Sequence, residues 1–211
     1  MAAGRAGRRS RVGFYGRAPG PATARREICY DSRVDLRRFF DRAVQASFDD
    51  LAMRDEPVAG YLADLLTRFA RTEHLFPTGV TMPRLESVVD LLLEAQAAWD
   101  DSAAHFGPER EISIRRHIGD YTLFMTGIFR DHVERLAVTD YYEDQGRRAY
   151  RFVWETARAE GEPDALVFQR LADRFEQYAE ALTYLRKVYF RPERLPGGAI
   201  SDPFFRRLLT E

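Results

Sequence analysis

Apolar residues recur at steps of three and four along most of this chain, the spacing that places them on one face of an α-helix. A Ser-x-x-Asp pattern at Ser32 resembles a capping box and opens such a stripe, which continues to about Arg54. Pro57 suits the first turn of a second helix. No run of alternating β-branched residues is bounded by turn signals, so the pattern predicts helices and almost no strand. The stripe of the second helix consists of Val58, Tyr61, Leu62, Leu65, Leu66 and Phe69.

Glycine and proline divide the rest of the chain into four further predicted helices. The third begins near Pro83 and ends before Gly107. The fourth covers about 109–129, the fifth covers about 140–160, and the sixth begins at Pro163 and ends near residue 195. Six helices joined by short loops predict an all-α bundle with mainly antiparallel neighbours.

The first 30 residues differ from this body. They are rich in Gly, Ala and Pro, they have no apolar periodicity, and they hold seven arginines against one acidic residue, Glu27. The net charge of the whole chain is -1, so the remainder is acidic. We expect residues 1–30 to form a disordered, basic arm ahead of a single helical domain at 31–211. Neither a secretory leader nor an organellar transit helix fits the arm.

Composition narrows the classes of protein and of site. A chain of 211 residues is long enough for one sizeable core. Cys29 is the only cysteine, which excludes an intramolecular disulfide and a thiolate metal site within the chain. Every apolar run is interrupted by charge before it could cross a bilayer. We therefore expect a cytoplasmic protein that does not bind a membrane.

Sequence signatures of catalysis are missing. The chain has no glycine-rich phosphate loop, no H-E-x-x-H and no G-x-S-x-G. None of its four histidines lies in the Glu-x-x-His pattern of helical di-metal sites. His117 and Asp120 share a helix face, but one pair of ligands does not make a site. We expect no metal and no cofactor.

Asp120 is the most informative residue, because it is the only charge in the apolar segment 118–129. A buried carboxylate must be paired or hydrogen-bonded. We expect Asp120 to be buried and held by an arginine, either Arg116 or Arg148. Such a group could be a polar latch between helices or part of a ligand site. The candidate polar cluster, which is also the candidate binding site, consists of Arg116, Asp120, Tyr142 and Tyr150.

The segment Arg-His-Ile-Gly-Asp-Tyr-Thr-Leu-Phe at 116–124, with Gly-Ile-Phe at 127–129, Asp-Tyr-Tyr at 140–142 and Gly-Arg-Arg-Ala-Tyr at 146–150, resembles a pattern in uncharacterised bacterial all-helical proteins. The resemblance implies a helical bundle and a bacterial origin. Because no activity is assigned to that pattern, it implies no catalytic or binding residue.

Three functional hypotheses remain open, and the absence of catalytic motifs favours a non-catalytic one. The first is interaction with another protein or with a second copy of the chain, because large apolar residues near the C-terminus would otherwise stay exposed. The alternative is an enzyme or small-ligand binder with a pocket near Asp120. Nucleic-acid contact through the N-terminal arginines is the third, and the acidic body argues against it. The apolar C-terminal residues are Phe204, Phe205, Leu208 and Leu209.

Overall fold

The computed structural model of the chain describes residues 32–70 and 108–191. These two segments contain seven helices and no strand, which confirms the predicted all-helical fold. The helices are α1 Ser32–Asp50, α2 Glu56–Phe69, α3 Pro108–Ile128, α4 Arg130–Arg135, α5 Thr139–Glu160, α6 Ala165–Asp173 and α7 Phe175–Tyr189.

The central helix of the described bundle is α3, which packs along α5 and α7. Its second half is apolar on almost every side, and Ile118, Leu123, Phe124 and Ile128 are buried there. Helix α1 packs on α2 and α7, and α6 packs on α5 and α2. The aromatic and aliphatic stripes of these helices meet in one continuous core.

The first two helices are separated by a turn that the sequence did not reveal. Helix α1 ends at Asp50, before the predicted end near Arg54. The turn is closed by Ala52, whose φ of 55° is left-handed, and by a hydrogen bond from the Met53 N–H to the Phe48 carbonyl of 2.8 Å. Pro57 lies in the first turn of α2, as predicted.

The predicted sixth helix is two helices, because the backbone turns at Arg174 (φ -126°, ψ 33°). No glycine or proline marks this break. The turn separates the buried face of α6, which meets α5 and α2, from that of α7, which meets α3 and α1. Phe175 lies just after the break and is buried in the core. Tertiary packing therefore overrides a stripe that reads as continuous in the sequence.

Three predictions fall outside the described residues: the basic arm at 1–30, the third predicted helix, and the apolar segment from Phe204 to Leu209. Among the helices of the two described segments, none is both long and apolar enough to cross a membrane.

Candidate functional site

Asp120 lies in the middle of α3 and is 1% exposed, which confirms that it is buried. The phenolic hydroxyls of Tyr61 and Tyr150 both donate hydrogen bonds to its Oδ1 atom, at 2.5 Å and 2.9 Å. The Nη2 atom of Arg68 donates to Oδ2 at 2.8 Å. Both carboxylate oxygens are therefore occupied, so this buried charge is paired and hydrogen-bonded.

Helix geometry brings these groups together from α2, α3 and α5. Tyr61 and Arg68 are seven residues apart on α2, close to two full turns, so they lie on one face. Gly119, next to Asp120, allows the ring of Tyr150 to lie directly against α3, since a Cβ there would stand 2.7 Å from a ring atom. The cluster thus ties three helices to one carboxylate.

Both tyrosines of the cluster are donors that hold their protons firmly. Burial, and then the negative charge of Asp120, raise the pKa of Tyr61. The same two causes raise the pKa of Tyr150 well above its ordinary value. Neither phenol is therefore poised to act as a base near neutral pH.

The arginine of the cluster is not one that the sequence predicted. Arg68 binds Asp120, whereas Arg148 binds Asp144 on the exposed side of α5. Arg116 donates from Nε to the Tyr61 hydroxyl at 3.2 Å and so joins the cluster through that tyrosine. The expectation that an arginine holds Asp120 is confirmed, whereas the choice of Arg116 or Arg148 as that arginine is wrong.

Of the four candidate residues, Arg116, Asp120 and Tyr150 lie together and Tyr142 lies elsewhere. The ring of Tyr142 is near those of Tyr121 and Tyr141, with centroid distances of 6.4 Å and 6.3 Å. Partial burial raises the pKa of Tyr142, and the Asp120 carboxylate is not among the causes.

A second buried carboxylate, which the sequence analysis missed, is held in the same way. Asp55 is 7% exposed and lies just before α2. Arg170 Nη1 donates to its Oδ1 at 2.6 Å, and the Tyr178 hydroxyl donates to Oδ2 at 2.7 Å. Burial, and then the hydrogen bond to Asp55, raise the pKa of Tyr178. Helix α2 is thus fixed by one carboxylate cluster at its start and by another along its length.

A pocket of about 290 Å³ opens beside the Asp120 cluster, between α2, α3, α6 and the turn that joins α5 to α6. The ring of Tyr61 forms part of its wall, so the cluster supports the pocket from behind. Its lining mixes apolar and aromatic surface with charged groups. The lining residues used below are Gly60, Tyr61, Arg116, Val167 and Phe168, with the exposed carboxylates Asp64, Glu162 and Asp164.

The glycine of this lining has no packing reason to be a glycine. A Cβ added at Gly60 would meet no atom of the described residues within 4 Å, and its φ is not left-handed. Glycine inside a helix costs stability relative to alanine. Gly60 therefore lowers helix stability, and no packing contact among the described residues explains it.

The part of the chain that the structure describes offers no group of three or more His, Cys, Asp or Glu side chains that could hold a metal ion. His117, the candidate partner of Asp120, lies between aromatic rings, 5.7 Å from that of Phe69 and 6.5 Å from that of Tyr121 between centroids. The Asp120 oxygens are bound by other groups. His117 and Asp120 therefore do not form a pair of metal ligands in the described part of the chain.

The arrangement is suited to binding rather than to proton transfer. The buried groups behind the pocket satisfy one another, whereas the groups that line it are accessible and charged. Comparisons with protein-family models, with curated protein sequences and with solved structures found no match for this chain.

Proposed function

We propose that this protein is a non-catalytic, small-ligand-binding helical bundle and that its binding site is the pocket between α2, α3 and α6. The observation that carries the proposal is Gly60, a glycine inside a helix that faces open space in the pocket lining. Because packing does not require it, the missing side chain is explained by the space that it leaves for a ligand.

The two carboxylate clusters support binding. Asp120 and Asp55 fix α2 against α3, α5, α6 and α7 through hydrogen bonds that a ligand does not need to break. A wall held in this way loses little conformational entropy when a ligand binds. The groups with catalytic potential, Asp120 and Tyr150, are buried and bonded to each other, which favours a supporting role for them.

The other two hypotheses depend on segments outside the described residues. Interaction with a protein partner or a second copy depended on Phe204 to Leu209, and nucleic-acid contact depended on the arginines of the N-terminal arm. Both stay predictions. A change of sedimentation mass after truncation at Gly198 would favour the first, and salt-sensitive DNA or RNA binding lost with residues 1–26 would favour the second.

Amide NMR spectra of the full chain test the binding proposal. The probes are a panel of small amines, carboxylates, phosphates, neutral amides and amino acids at millimolar concentration. We expect at least one class to shift the amides of Gly60, Tyr61 and Val167 in a saturable way. The same probe should fail with Gly60→Leu, which fills the pocket while favouring the helix.

Gly60→Ala adds only a methyl group at the same position and should therefore weaken binding less than Gly60→Leu does. If no probe class shifts the pocket amides, or if Gly60→Leu binds as the wild type does, the pocket is not a binding site.

A further inference from the structure

The charges that line the pocket are of both signs, and some of them have no partner among the described residues. Asp64 is bound by Arg37 of α1. In contrast, the side chains of Glu162 and Asp164 make no hydrogen bond or ion pair within the described segments. Asp164 stands directly before α6, where an aspartate commonly caps the helix, yet its side chain does not do so. No residue of the two described segments therefore occupies either carboxylate.

Arg116 presents the positive charge in a fixed orientation. Its Cζ atom lies 5.3 Å from the ring centroid of Tyr61 and 5.2 Å from that of Phe168. Its Nε atom is engaged by the Tyr61 hydroxyl, and its two terminal nitrogens have no acceptor among the residues that the structure describes. A guanidinium stacked on rings, with its terminal N–H groups unused, is prepared for an oxyanion.

The two signs are kept apart within one cavity. Arg116 comes from α3, whereas Glu162 and Asp164 come from the turn before α6, and in the described residues no ion pair joins them. A ligand with only a positive charge would leave Arg116 unpaired, and a phosphate dianion would be repelled by the two carboxylates. A ligand with a negative charge at one end and a positive charge at the other can pair with Arg116 and with the two carboxylates.

We propose that the pocket binds a small zwitterion of the amino-acid class, whose carboxylate meets Arg116, whose ammonium group meets Glu162 and Asp164, and whose apolar part lies beside Val167 and Gly60. This inference rests on the proposed binding function and names the chemistry of its ligand. Both walls come from elements that the clusters around Asp55 and Asp120 already hold in place.

Three probes that share one skeleton separate the charges. Phenylalanine carries both groups, 2-phenylethylamine lacks the carboxylate, and 3-phenylpropanoate lacks the ammonium group. We expect titration calorimetry and amide NMR to show phenylalanine binding at least about tenfold more tightly than either relative, the loss that accompanies removal of one charge-assisted hydrogen bond.

Two sets of variants test which pocket residues bind each charge of the ligand. Arg116→Gln should weaken phenylalanine about tenfold or more and leave 2-phenylethylamine unchanged or tighter. The double variant Glu162→Gln/Asp164→Asn should weaken phenylalanine and leave 3-phenylpropanoate unchanged or tighter. The two carboxylates are exposed, so the double variant should fold normally, and its thermal midpoint checks this. Arg148→Gln, at an exposed arginine that pairs with Asp144 on α5 and does not line the pocket, is the matched control for loss of one positive charge and should leave phenylalanine binding unchanged.

The outcomes separate this inference from the proposal on which it rests. If the amine or the acid alone binds as tightly as phenylalanine, or if another class of the wider panel binds and Gly60→Leu abolishes it, the pocket is a site but not for zwitterions. If no probe of either set reaches the pocket, both proposals are wrong. Equal losses of all three probes in Arg116→Gln would show a structural role for that arginine and would also contradict the zwitterion site.

Discussion

Glycines occur on both sides of this bundle for opposite physical reasons. Along the contact of α3 and α5, a Cβ at Gly146 would stand 2.4 Å from a ring atom of Phe175 and 2.5 Å from the Thr122 hydroxyl oxygen. Along α2, a Cβ at Gly60 would meet nothing within 4 Å in the part of the chain that the structure describes. The first glycine permits close packing, whereas the second leaves a cavity open.

The comparison teaches how space and rigidity are distributed in this fold. Where α3 meets α5 and α7, side chains fill the interior and buried polar groups satisfy one another. Beside α2, the ring of Tyr61 belongs both to the Asp120 cluster and to the pocket wall, and the pocket next to it is open. We expect substitutions on the packed side to change stability strongly and substitutions on the open side to change binding.

The largest effect should come from the group that joins the two regions. Asp120→Ala removes the acceptor of Tyr61 and Tyr150, and each buried hydroxyl donor left without an acceptor costs about 1–3 kcal/mol. Arg68 is partly exposed and can turn to water. We expect the free energy of unfolding to fall by about 3–5 kcal/mol in urea titrations.

Two further variants serve as comparisons for Asp120→Ala. Glu176→Ala removes a carboxylate whose partner, Arg147, is exposed as well, and should change stability by less than about 1 kcal/mol. Asp120→Asn keeps an oxygen for the tyrosines but turns an amide donor toward Arg68, so its loss should be intermediate. A midpoint at or above that of the wild type in Asp120→Asn would refute the latch and favour a site that trades stability for function.

Gly146→Ala tests the packed side alone. Its methyl group would overlap Phe175 and Thr122, which are themselves buried, so the neighbours have little room to move. We expect a loss of about 1–3 kcal/mol in urea unfolding, which outweighs the gain that alanine normally brings to a helix. A variant as stable as the wild type would mean that α3 and α5 separate easily, and the comparison between the two sides would lose its basis.

Unfolding at alkaline pH tests the Asp120 cluster through the hydroxyl proton of Tyr150. The pKa of Tyr150 is raised above its ordinary value of 10.0 by burial and then by Asp120. Above pH 10 the unfolded chain loses this proton while the folded chain keeps it, so the free energy of unfolding falls as pH rises. Below that pH the contribution is constant. The slope for one such tyrosine approaches about 1.4 kcal/mol per pH unit.

Tyr150→Phe should therefore be less stable than the wild type at pH 8 but should lose stability less steeply between pH 10 and 11. Urea titrations at fixed pH measure both quantities. Equal slopes for the two proteins would show that the Tyr150 hydroxyl is not held by Asp120 in solution.

Sequence periodicity predicted α1, α2, α3 and α5 closely, but it missed the short helix α4, joined α6 to α7 and predicted tertiary partners poorly. The single charge in an apolar segment correctly marked Asp120 as buried. Its arginine was missed because Arg68 adjoins a stripe on another helix, although its seven-residue spacing from Tyr61 already placed both on one face. Tyr142 was grouped with Tyr150, yet eight residues leave two side chains about 80° apart around a helix axis. Angular spacing was therefore present in the sequence, whereas the choice of partner helix was not.

The break at Arg174 and the cluster around Asp55 had no comparable signal. Neither glycine nor proline marks the break, and Asp55 reads as an ordinary residue before a helix. Arg170 and Tyr178 reach Asp55 from two different helices only because the chain turns between them. Such contacts follow from the whole packing and not from local pattern.

The smallest predicted effect has the opposite sign from the others. Gly60→Ala adds a methyl group in open space within α2 and removes backbone freedom from the unfolded chain, so the free energy of unfolding should rise by about 0.5–1 kcal/mol. Urea titrations measure it beside Gly146→Ala, the same substitution at a packed glycine. If Gly60→Ala instead destabilises the protein, another part of the chain fills the space over Gly60, and the argument for an open pocket is lost.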